Sequence, residues 1–283
     1  MKLSIITLTY NNLEYTRNFI KSLYENTKDF ELILVDNGST DGTVEYLKSL
    51  PYNNIKFIFN EKNLGFPKGN NQGLEIAEGE YIGFLNNDIL LSSNWFEGVE
   101  FVFKNETDAA FVSPFHLNPA YYNVNEKNYI KYFKKMKKSF DYKKSYDDCS
   151  FSCVITKKSV MDKIGKFDEI YTPAFCEDDD IKCRVIGIGY NIYVSYKTCF
   201  FHYVSTTSQH FTDTLDRNKK YLYKKYPYEM YIHNLREEYW NFLLLKKTKW
   251  FQVYNFFRRI NMFYKCQIKR KIFHIDDNLN NKQ

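Results

Sequence analysis

The sequence predicts an α/β protein: a mostly parallel sheet flanked by helices, followed by a helical C-terminal extension. Short β-rich runs alternate with segments of helical period over the first hundred residues, which is typical of an open parallel sheet. Dense polar turn signals follow three of these runs, as expected where strands end. Beyond about Asp213 the apolar and aromatic residues recur at helical spacing, which predicts the extension.

The first half of the chain carries four predicted strands. Each is a short run rich in apolar residues: Leu3–Leu8, Leu32–Val35, Ile55–Phe59 and Tyr81–Leu85. The second run is continuously apolar, which indicates a strand buried on both faces. Helical spacing predicts a helix between each pair of strands, over 15–24, over Val44–Leu50 before Pro51, and after a glycine-containing loop. The order β-α-β-α-β-α-β follows.

The second half is less regular. Residues 116–148 are rich in Lys and Tyr without a clear period, and we interpret them as an insertion between residues 1–115 and 149–212. A strand is predicted at Phe151–Ile155, a helix at Ser159–Ile164 and strand-like runs at Asn191–Ser195 and Lys197–Phe201. Residues 1–212 are thus expected to form one domain, and residues 213–283 the extension.

Composition limits the class of protein. With 283 residues, 44% hydrophobic and 26% charged, the chain can bury a core of ordinary size. The six cysteines include no CxxC pair, which favours reduced thiols in a cytoplasmic protein. The N-terminus lacks the pattern of a signal peptide, and no apolar run of roughly 18 residues predicts a transmembrane helix.

Residues 239–275 contain nine lysines and arginines and no acidic residue. Such a segment suits an anionic membrane surface, so a peripheral location at the inner face of the membrane is one expectation. A solvated helical face is the alternative, and the interleaved aromatic residues would equally suit a homodimer interface. We expect no nucleic-acid partner.

Three polar clusters should meet at one edge of the sheet, because parallel strands end at the same edge and ligands bind there. They are Thr9–Asn12, Asp36–Asp41 and Asn86–Asp88. Asp36 could accept hydrogen bonds from a nucleotide, or it could cap its own turn. Asp88 could bind Mn²⁺ or Mg²⁺ together with a diphosphate, or it could form an Asx-turn.

Three further features have both a chemical and a structural interpretation. The loop 63–71 contains Lys68 and backbone amides that could approach a diphosphate. Glu177–Asp180 packs four carboxylates together, where one could deprotonate a hydroxyl or all could stabilise a helix N-terminus. His202 is a metal ligand only if it faces Asp88, and is otherwise a core residue.

Taken in order, these segments resemble family 2 glycosyltransferases, especially the rhamnosyltransferase-like branch. The resemblance covers about Lys2 to Ser208. It rests on the following segments: Ile5–Asn11, Val35–Gly42, Asn63–Gly73, Phe84–Asp88, Gly165–Glu169, Glu177–Arg184 and His202. It implies a GT-A, Rossmann-like fold, a nucleotide-sugar donor and inversion of the anomeric centre.

The resemblance also implies residue roles. Residues expected to bind the nucleotide sugar are Thr9, Tyr10, Asn11, Asp36, Asn63, Gly65, Lys68, Asn71 and Asn87. Asp88 and His202 match metal ligands for Mn²⁺ or Mg²⁺, Asp178 matches the general base, and Glu177 lies on the acceptor side. Asn86 replaces the first acid of the family's DxD motif, and Pro67–Lys68 replaces its usual small residues.

The leading hypothesis is therefore a metal-dependent inverting glycosyltransferase. It would move a hexosyl or deoxyhexosyl unit to a glycan, lipid-linked or protein-linked acceptor in cell-surface polysaccharide or glycoconjugate synthesis. A nucleotidyltransferase would usually carry a glycine-rich loop with Arg and Lys directly after the first strand, which is absent here. A carbohydrate-binding or scaffolding paralogue without transferase activity is the other alternative. It would need none of Asp88, Asp178 and His202.

Overall fold

The computed structural model describes residues 2–136, 138–145, 148–203 and 212–226. The chain divides into two units, residues 1–220 and 221–283, and the second is described only to residue 226. The basic segment 239–275 and its predicted membrane or dimer contact lie outside the described residues. The division of the chain at residues 212/213 and the assignment of 116–148 as an insertion stay predictions.

The regular elements follow the predicted alternation. The strands are β1 (Leu3–Thr9), β2 (Phe30–Asp36), β3 (Ile55–Phe59), β4 (Tyr81–Leu85), β5 (Ile89–Leu91), β6 (Ala109–Leu117), β7 (Tyr142–Lys144), β8 (Cys153–Lys157) and β9 (Asn191–His202). The helices are α1 (Leu13–Asn26), α2 (Thr43–Lys48), α3 (Phe66–Glu75), α4 (Trp95–Asn105), α5 (Tyr129–Lys135), α6 (Lys158–Ile164), α7 (Glu177–Gly187) and α8 (Thr212–Lys225), with a 3-10 turn at Glu169–Tyr171.

All described strands belong to one sheet, in the order β3-β2-β1-β4-β8-β6-β9-β5, with β7 paired to β9. The first four are parallel neighbours, as the β-α-β alternation predicts. Beyond β4 the pairing is mixed: β8 is antiparallel to β4 and β6, whereas β6 and β9 are parallel. The α/β class with a helix-flanked sheet is confirmed.

The core lies on both faces of the sheet. Strand β2 explains this best, since its four central residues are all 0% exposed. Ile33 and Val35 pack into one apolar cluster, and Leu32 and Leu34 into the other. Successive side chains of a strand point to opposite faces, so a continuous apolar run serves two cores at once.

Residues 116–148 contain regular structure that the sequence pattern did not predict. Strand β6 continues to Leu117, and α5 and β7 follow. Tyr129 and Phe133 of α5 are buried, and the Tyr129 hydroxyl donates to the carbonyl of Leu91 at 3.0 Å. A helix of seven residues completes only about two turns, so its period is hard to recognise.

Among the described residues, no helix is long and apolar enough to span a membrane. The described cysteines are free thiols, and all of them are buried. They are Cys149, Cys153, Cys176, Cys183 and Cys199. Burial raises the pKa of Cys149 and that of Cys176 to about 12, which keeps both thiols protonated and unreactive at neutral pH.

Candidate functional site

The polar ends of the parallel strands meet at one edge of the sheet. In the parallel register Thr9 lies beside Asp36, and Asp36 lies beside Phe59. The turns that follow β1 and β2 (residues 9–12 and 36–41, here the paired turns) are therefore neighbours. Tyr10 is 42% exposed in the first of them, whereas Thr9 and Asp36 are buried.

Asp36 organises the paired turns. One carboxylate oxygen accepts the backbone N–H groups of Gly38 at 3.0 Å and Ser39 at 2.8 Å. The other accepts the Thr9 hydroxyl at 2.8 Å and the Ser39 hydroxyl at 2.5 Å. The side chain is 1% exposed, so its lone pairs are used within the protein. This geometry favours the turn-capping interpretation of Asp36 over direct contact with a nucleotide.

Further hydrogen bonds join the two turns. The Asn11 N–H donates to the Ser39 hydroxyl at 2.7 Å, and the Asn11 side-chain carbonyl accepts the Thr40 N–H at 2.9 Å. The Asp41 carboxylate accepts the Leu13 N–H, in the first turn of α1, at 2.9 Å. Asn11 has a left-handed backbone with φ of 57°, which Asn tolerates better than most residues. The paired turns are thus held together by their own hydrogen bonds.

The loop before α3 lies against the segment before α7. The Asn63 side chain accepts the Gly65 N–H at 2.8 Å, and the Phe66 N–H donates to the Pro173 carbonyl at 2.7 Å. Gly65 has φ of +84°, and a Cβ there would lie 2.8 Å from Pro173 backbone atoms. Only glycine permits this approach. Lys68 is exposed in the first turn of α3, where it can reach an anion.

Asn71 joins α3 to the segment after α6. Its amide nitrogen donates to the Phe167 carbonyl at 2.9 Å and to the Glu169 carboxylate at 3.1 Å, and its oxygen accepts the Phe167 N–H at 2.9 Å. The residue is 5% exposed. Its predicted contact with a nucleotide sugar has no support in this geometry, because its polar atoms already bind backbone and side-chain groups.

Asp88 and His202 face each other across two strands. Strand β5 pairs antiparallel with β9 and places Ile89 opposite His202, while the Tyr203 N–H donates to the Asp88 carbonyl at 3.0 Å. Asp88 Oδ1 and His202 Nε2 are 3.1 Å apart. Next to them, the Asn87 amide donates to the Thr16 hydroxyl at 2.9 Å, which fixes the turn against α1.

The Asp88 and His202 atoms fit two ligands of one divalent cation. Both atoms are buried and neither makes a hydrogen bond of acceptable geometry, although at this distance they would form an ion pair if the imidazole carried a proton on Nε2. Among the described residues, no group of three or more His, Cys, Asp or Glu is arranged to hold a metal. Water and substrate phosphate oxygens commonly complete the ligand shell of such a cation.

His116 adjoins this pair and was not predicted. Its ring stacks on Phe200 at 4.7 Å and lies 5.5 Å from the His202 ring. Burial lowers the pKa of His116 to about 4, with a smaller contribution from His202, so the ring is neutral at physiological pH. No sequence signal marked this residue, because its position depends on the parallel register of β6 and β9.

A cleft of about 650 Å³ opens beside these groups. Its walls combine the end of β6, the segments 118–122 and 148–152, the start of α7 and one face of α8. The polar and aromatic side chains that line the cleft include the following: His116, Tyr121, Phe151, Glu177, Asp178, Asp179, Lys182 and Lys219. The predicted acceptor-side acids thus line a space that also reaches Asn86.

The acid cluster (Glu177–Asp180) forms the first turn of α7, as the helix-dipole interpretation predicts, but its members differ in environment. Asp180 is fully buried and pairs with Arg184 at 2.8 Å, which makes it structural. Glu177 is 8% exposed, and one of its carboxylate oxygens lacks a hydrogen-bond partner. Burial, and then the Asp178 charge, raise the pKa of Glu177 to about 8. Asp178 is 35% exposed and lies 3.6 Å from Lys182.

Helix α8 holds the segment that leads into the acid cluster. Phe175 and Cys176 both have left-handed backbones, with φ of 79° and 71°, which is costly for residues other than glycine. The buried Asn218 amide donates to the carbonyls of Ala174 at 3.0 Å and Phe175 at 2.9 Å, and Arg217 donates to the carbonyl of Thr172 at 2.5 Å. No sequence pattern marked Arg217, Asn218 or Lys182 as functional residues.

Comparison with known proteins gives a consistent result. The family model described as "Glycosyl transferase family 2" matches residues 4–165. An uncharacterized glycosyltransferase of Rickettsia conorii is 28% identical over 189 residues, which are 66% of this chain and 30% of that protein. The first three curated relatives are much longer, and the aligned region spans only 26–30% of their length.

Two solved structures share the fold. A mannosyltransferase from Pyrobaculum calidifontis, in complex with GDP-Man and Mn²⁺, has a TM-score of 0.55 and 16% identity and covers 74% of this chain and 59% of its own. GalNAc-T7 with UDP, GalNAc and Mn²⁺ has a TM-score of 0.60 and 12% identity over 81% of this chain and 51% of its own. At these identities the likeness establishes the fold alone.

Proposed function

Because the chain belongs to glycosyl transferase family 2, we propose that it is a metal-dependent, inverting glycosyltransferase that uses a nucleotide-sugar donor. The observation that carries the proposal is the pair of buried, unpartnered atoms Asp88 Oδ1 and His202 Nε2, 3.1 Å apart, beside a cleft lined by Asp178. Burying two lone-pair groups face to face is costly unless a proton or a metal cation joins them, and the proposal assigns that place to the metal.

In this proposal Asp88 and His202 would hold Mn²⁺ or Mg²⁺, and the ion would supply positive charge beside the diphosphate leaving group. The Mn²⁺ described with both fold neighbours supports the choice of ion. The paired turns bind the nucleotide through their exposed rim, including Tyr10, while Asp36 keeps the turns in shape. Lys68, exposed at the start of α3, approaches the diphosphate from the same edge.

Asp178 is proposed to accept the proton of the acceptor hydroxyl. It lines the cleft and is 35% exposed, so an acceptor can reach it. A single base on the acceptor side and a stabilised leaving group suffice for one displacement, which inverts the anomeric centre. The cleft has room for a sugar, and its aromatic side chains suit the faces of sugar rings. A glycan, lipid-linked or protein-linked acceptor in cell-surface glycoconjugate synthesis remains the proposed class.

The test is donor binding with and without metal. Thermal unfolding is followed with UDP-, GDP- and dTDP-sugars in Mn²⁺ and in EDTA, for the wild type and for Asp88→Ala. We expect the sugars of one nucleotide to raise Tm in Mn²⁺ but not in EDTA. Asp88→Ala should abolish that Tm shift and lower transfer activity by about 10²-fold or more.

Asp162→Ala, at an exposed position on α6, is the matched control and should keep the shift. If the wild type gives no shift with any donor in Mn²⁺, the carbohydrate-binding or scaffolding alternative is favoured. If Asp88→Ala keeps the metal-dependent shift, Asp88 does not belong to the metal site.

A further inference from the structure

Lys182 is a lysine whose side chain is largely buried in the wall of the cleft. It lies in α7, one turn after the acid cluster, and its side chain is 13% exposed although it lines the cleft. Its ammonium is 3.6 Å from Asp178 Oδ2 and 3.5 Å from Asp179 Oδ1. The Phe151 ring centroid lies 5.7 Å from the same ammonium. Two carboxylates and one aromatic ring are thus the near neighbours of this charge.

Burial alone would favour a neutral lysine. Here burial lowers the pKa of Lys182, but the nearby charges of Asp178 and Asp179 outweigh it and leave the pKa above its ordinary value. Lys182 is therefore a permanent cation. Both carboxylates lie within 4 Å of this cation, so the electrostatic attraction acts on each of them as well as on the lysine.

We propose that Lys182 is a positioning residue for Asp178: its ammonium holds the Asp178 carboxylate ionised and directed into the cleft, and so sets the pH above which the enzyme works. The inference rests on the proposed function, in which Asp178 is the general base. It assigns a role to a residue that is neither the proposed base nor a proposed metal ligand. Asp179 shares the same ammonium and competes with Asp178 for it.

Other charged or titratable groups also face this site. On α7 these groups are Glu177, Asp179 and Lys182, and on α8 and β6 they are Lys219 and His116. Asp148 and Cys149 lie in the segment before β8, and Cys176 lies in the turn before α7. Among these, Lys182 is the cation within 4 Å of the Asp178 carboxylate. Its removal leaves Asp178 next to the Asp179 carboxylate, which shares the same ammonium, and that like charge disfavours ionisation.

The first experiment measures the Asp178 carboxyl directly, by ¹³C NMR titration of the ligand-free chain with the Asp178 signal assigned through Asp178→Asn. We expect Lys182→Met to raise the Asp178 pKa by about 1–3 units, while Lys182→Arg leaves it nearly unchanged. Lys166→Met removes an exposed lysine–carboxylate pair to Glu75 and should not move it. An unchanged Asp178 pKa in folded Lys182→Met overturns the proposal.

The second experiment uses charge compensation. In Lys182→Met the acid limb of the pH profile of kcat/KM should move to higher pH, and adding Asp179→Asn should move it back toward the wild-type position, because one charge of each sign is then removed. A role in packing alone predicts no recovery in the double variant, and that result would also refute the proposal. Asp179→Asn in the wild-type background, at a partially exposed side chain, should move the limb to lower pH.

The two proposals fail in different ways. If the wild type turns over no donor at any pH, the proposed function fails, but the NMR titration still decides the role of Lys182. If the wild type is active and its acid limb is the same in Lys182→Met, the proposed function stands and the Lys182 inference falls.

Discussion

The paired turns and the acid cluster both contain a buried carboxylate, but the two carboxylates differ in how many hydrogen-bond partners they have. Asp36 in the paired turns accepts four hydrogen bonds from its own surroundings. Glu177 in the acid cluster is also buried, but one of its oxygens has no partner, and Asp178 shares one lysine with Asp179. In the paired turns the buried carboxylate has hydrogen-bond partners for both of its oxygens, whereas in the acid cluster Glu177 has an oxygen without one.

This difference teaches which substitutions should cost stability and which should cost function. A buried carboxylate with every lone pair used contributes to the free energy of unfolding, and its loss leaves donors unsatisfied. A carboxylate kept without partners lowers stability and persists only where chemistry requires it. The following predictions test this contrast, from the largest expected effect to the smallest.

The largest effect is expected for Asp178→Asn. Loss of a general base should lower kcat by about 10²–10⁴-fold, while donor binding and the free energy of unfolding stay the same or rise. Asp162→Asn, at an exposed position on α6, is the control and should keep the wild-type kcat. Steady-state kinetics and urea unfolding measure both properties. Transfer at the wild-type rate in Asp178→Asn would remove Asp178 from the base role.

The opposite pattern is expected for Asp36→Ala in the paired turns. Two backbone N–H groups and two hydroxyls lose their acceptor, so the free energy of unfolding should fall by about 2–4 kcal/mol. Asp162→Ala, at an exposed site, should stay within about 0.5 kcal/mol of the wild type. Urea unfolding measures both. A fully stable Asp36→Ala chain that no longer binds donor would mean that Asp36 is itself a nucleotide ligand, and the contrast would fail.

The finest test is the pH dependence of stability in Glu177→Gln. A pKa raised to about 8 by burial means that the folded state binds the Glu177 proton more tightly than the unfolded state does. The stability from this proton is complete below the unfolded pKa of about 4.3 and is lost as pH rises through 8.

Glu177→Gln should therefore reduce the fall in the free energy of unfolding between about pH 5 and pH 8.5. Urea unfolding at several pH values gives this slope. Glu97→Gln, at an exposed position of α4, should keep the wild-type slope. Identical slopes in wild type and Glu177→Gln would show that Glu177 is not buried in its protonated form.

The sequence predicted the first half of the fold closely, because its signals are local. The apolar runs of β1 to β4 end in Asn-, Asp- and Gly-rich turns, and both β3 and β4 have the predicted bounds. The second half depends on long-range pairing. The strand-like runs at Asn191–Ser195 and Lys197–Phe201 form the single long strand β9, whose register is set by β6 and β5 rather than by its own residues.

The site was predictable to the extent that motifs mark it. His202 was predicted to be a ligand candidate only if it faced Asp88, and the pairing of β5 with β9 does place it there. Its role as a metal ligand stays a prediction. Asn71 and Asp36 are motif residues, but their polar side-chain atoms form hydrogen bonds within the protein. Lys182, His116 and Asn218 carry no motif at all, because their importance comes from neighbours that are distant in sequence.

The close approach of Gly65 to Pro173 has a consequence for recombining this domain with its relatives. The two residues belong to different halves of the chain, yet their backbones leave no room for a side chain at position 65, and a hydrogen bond from Phe66 joins them. A chimera that exchanges only the second half inherits one side of this crossing without the other. Workable crossover points must therefore transfer the loop before α3 and the segment before α7 together.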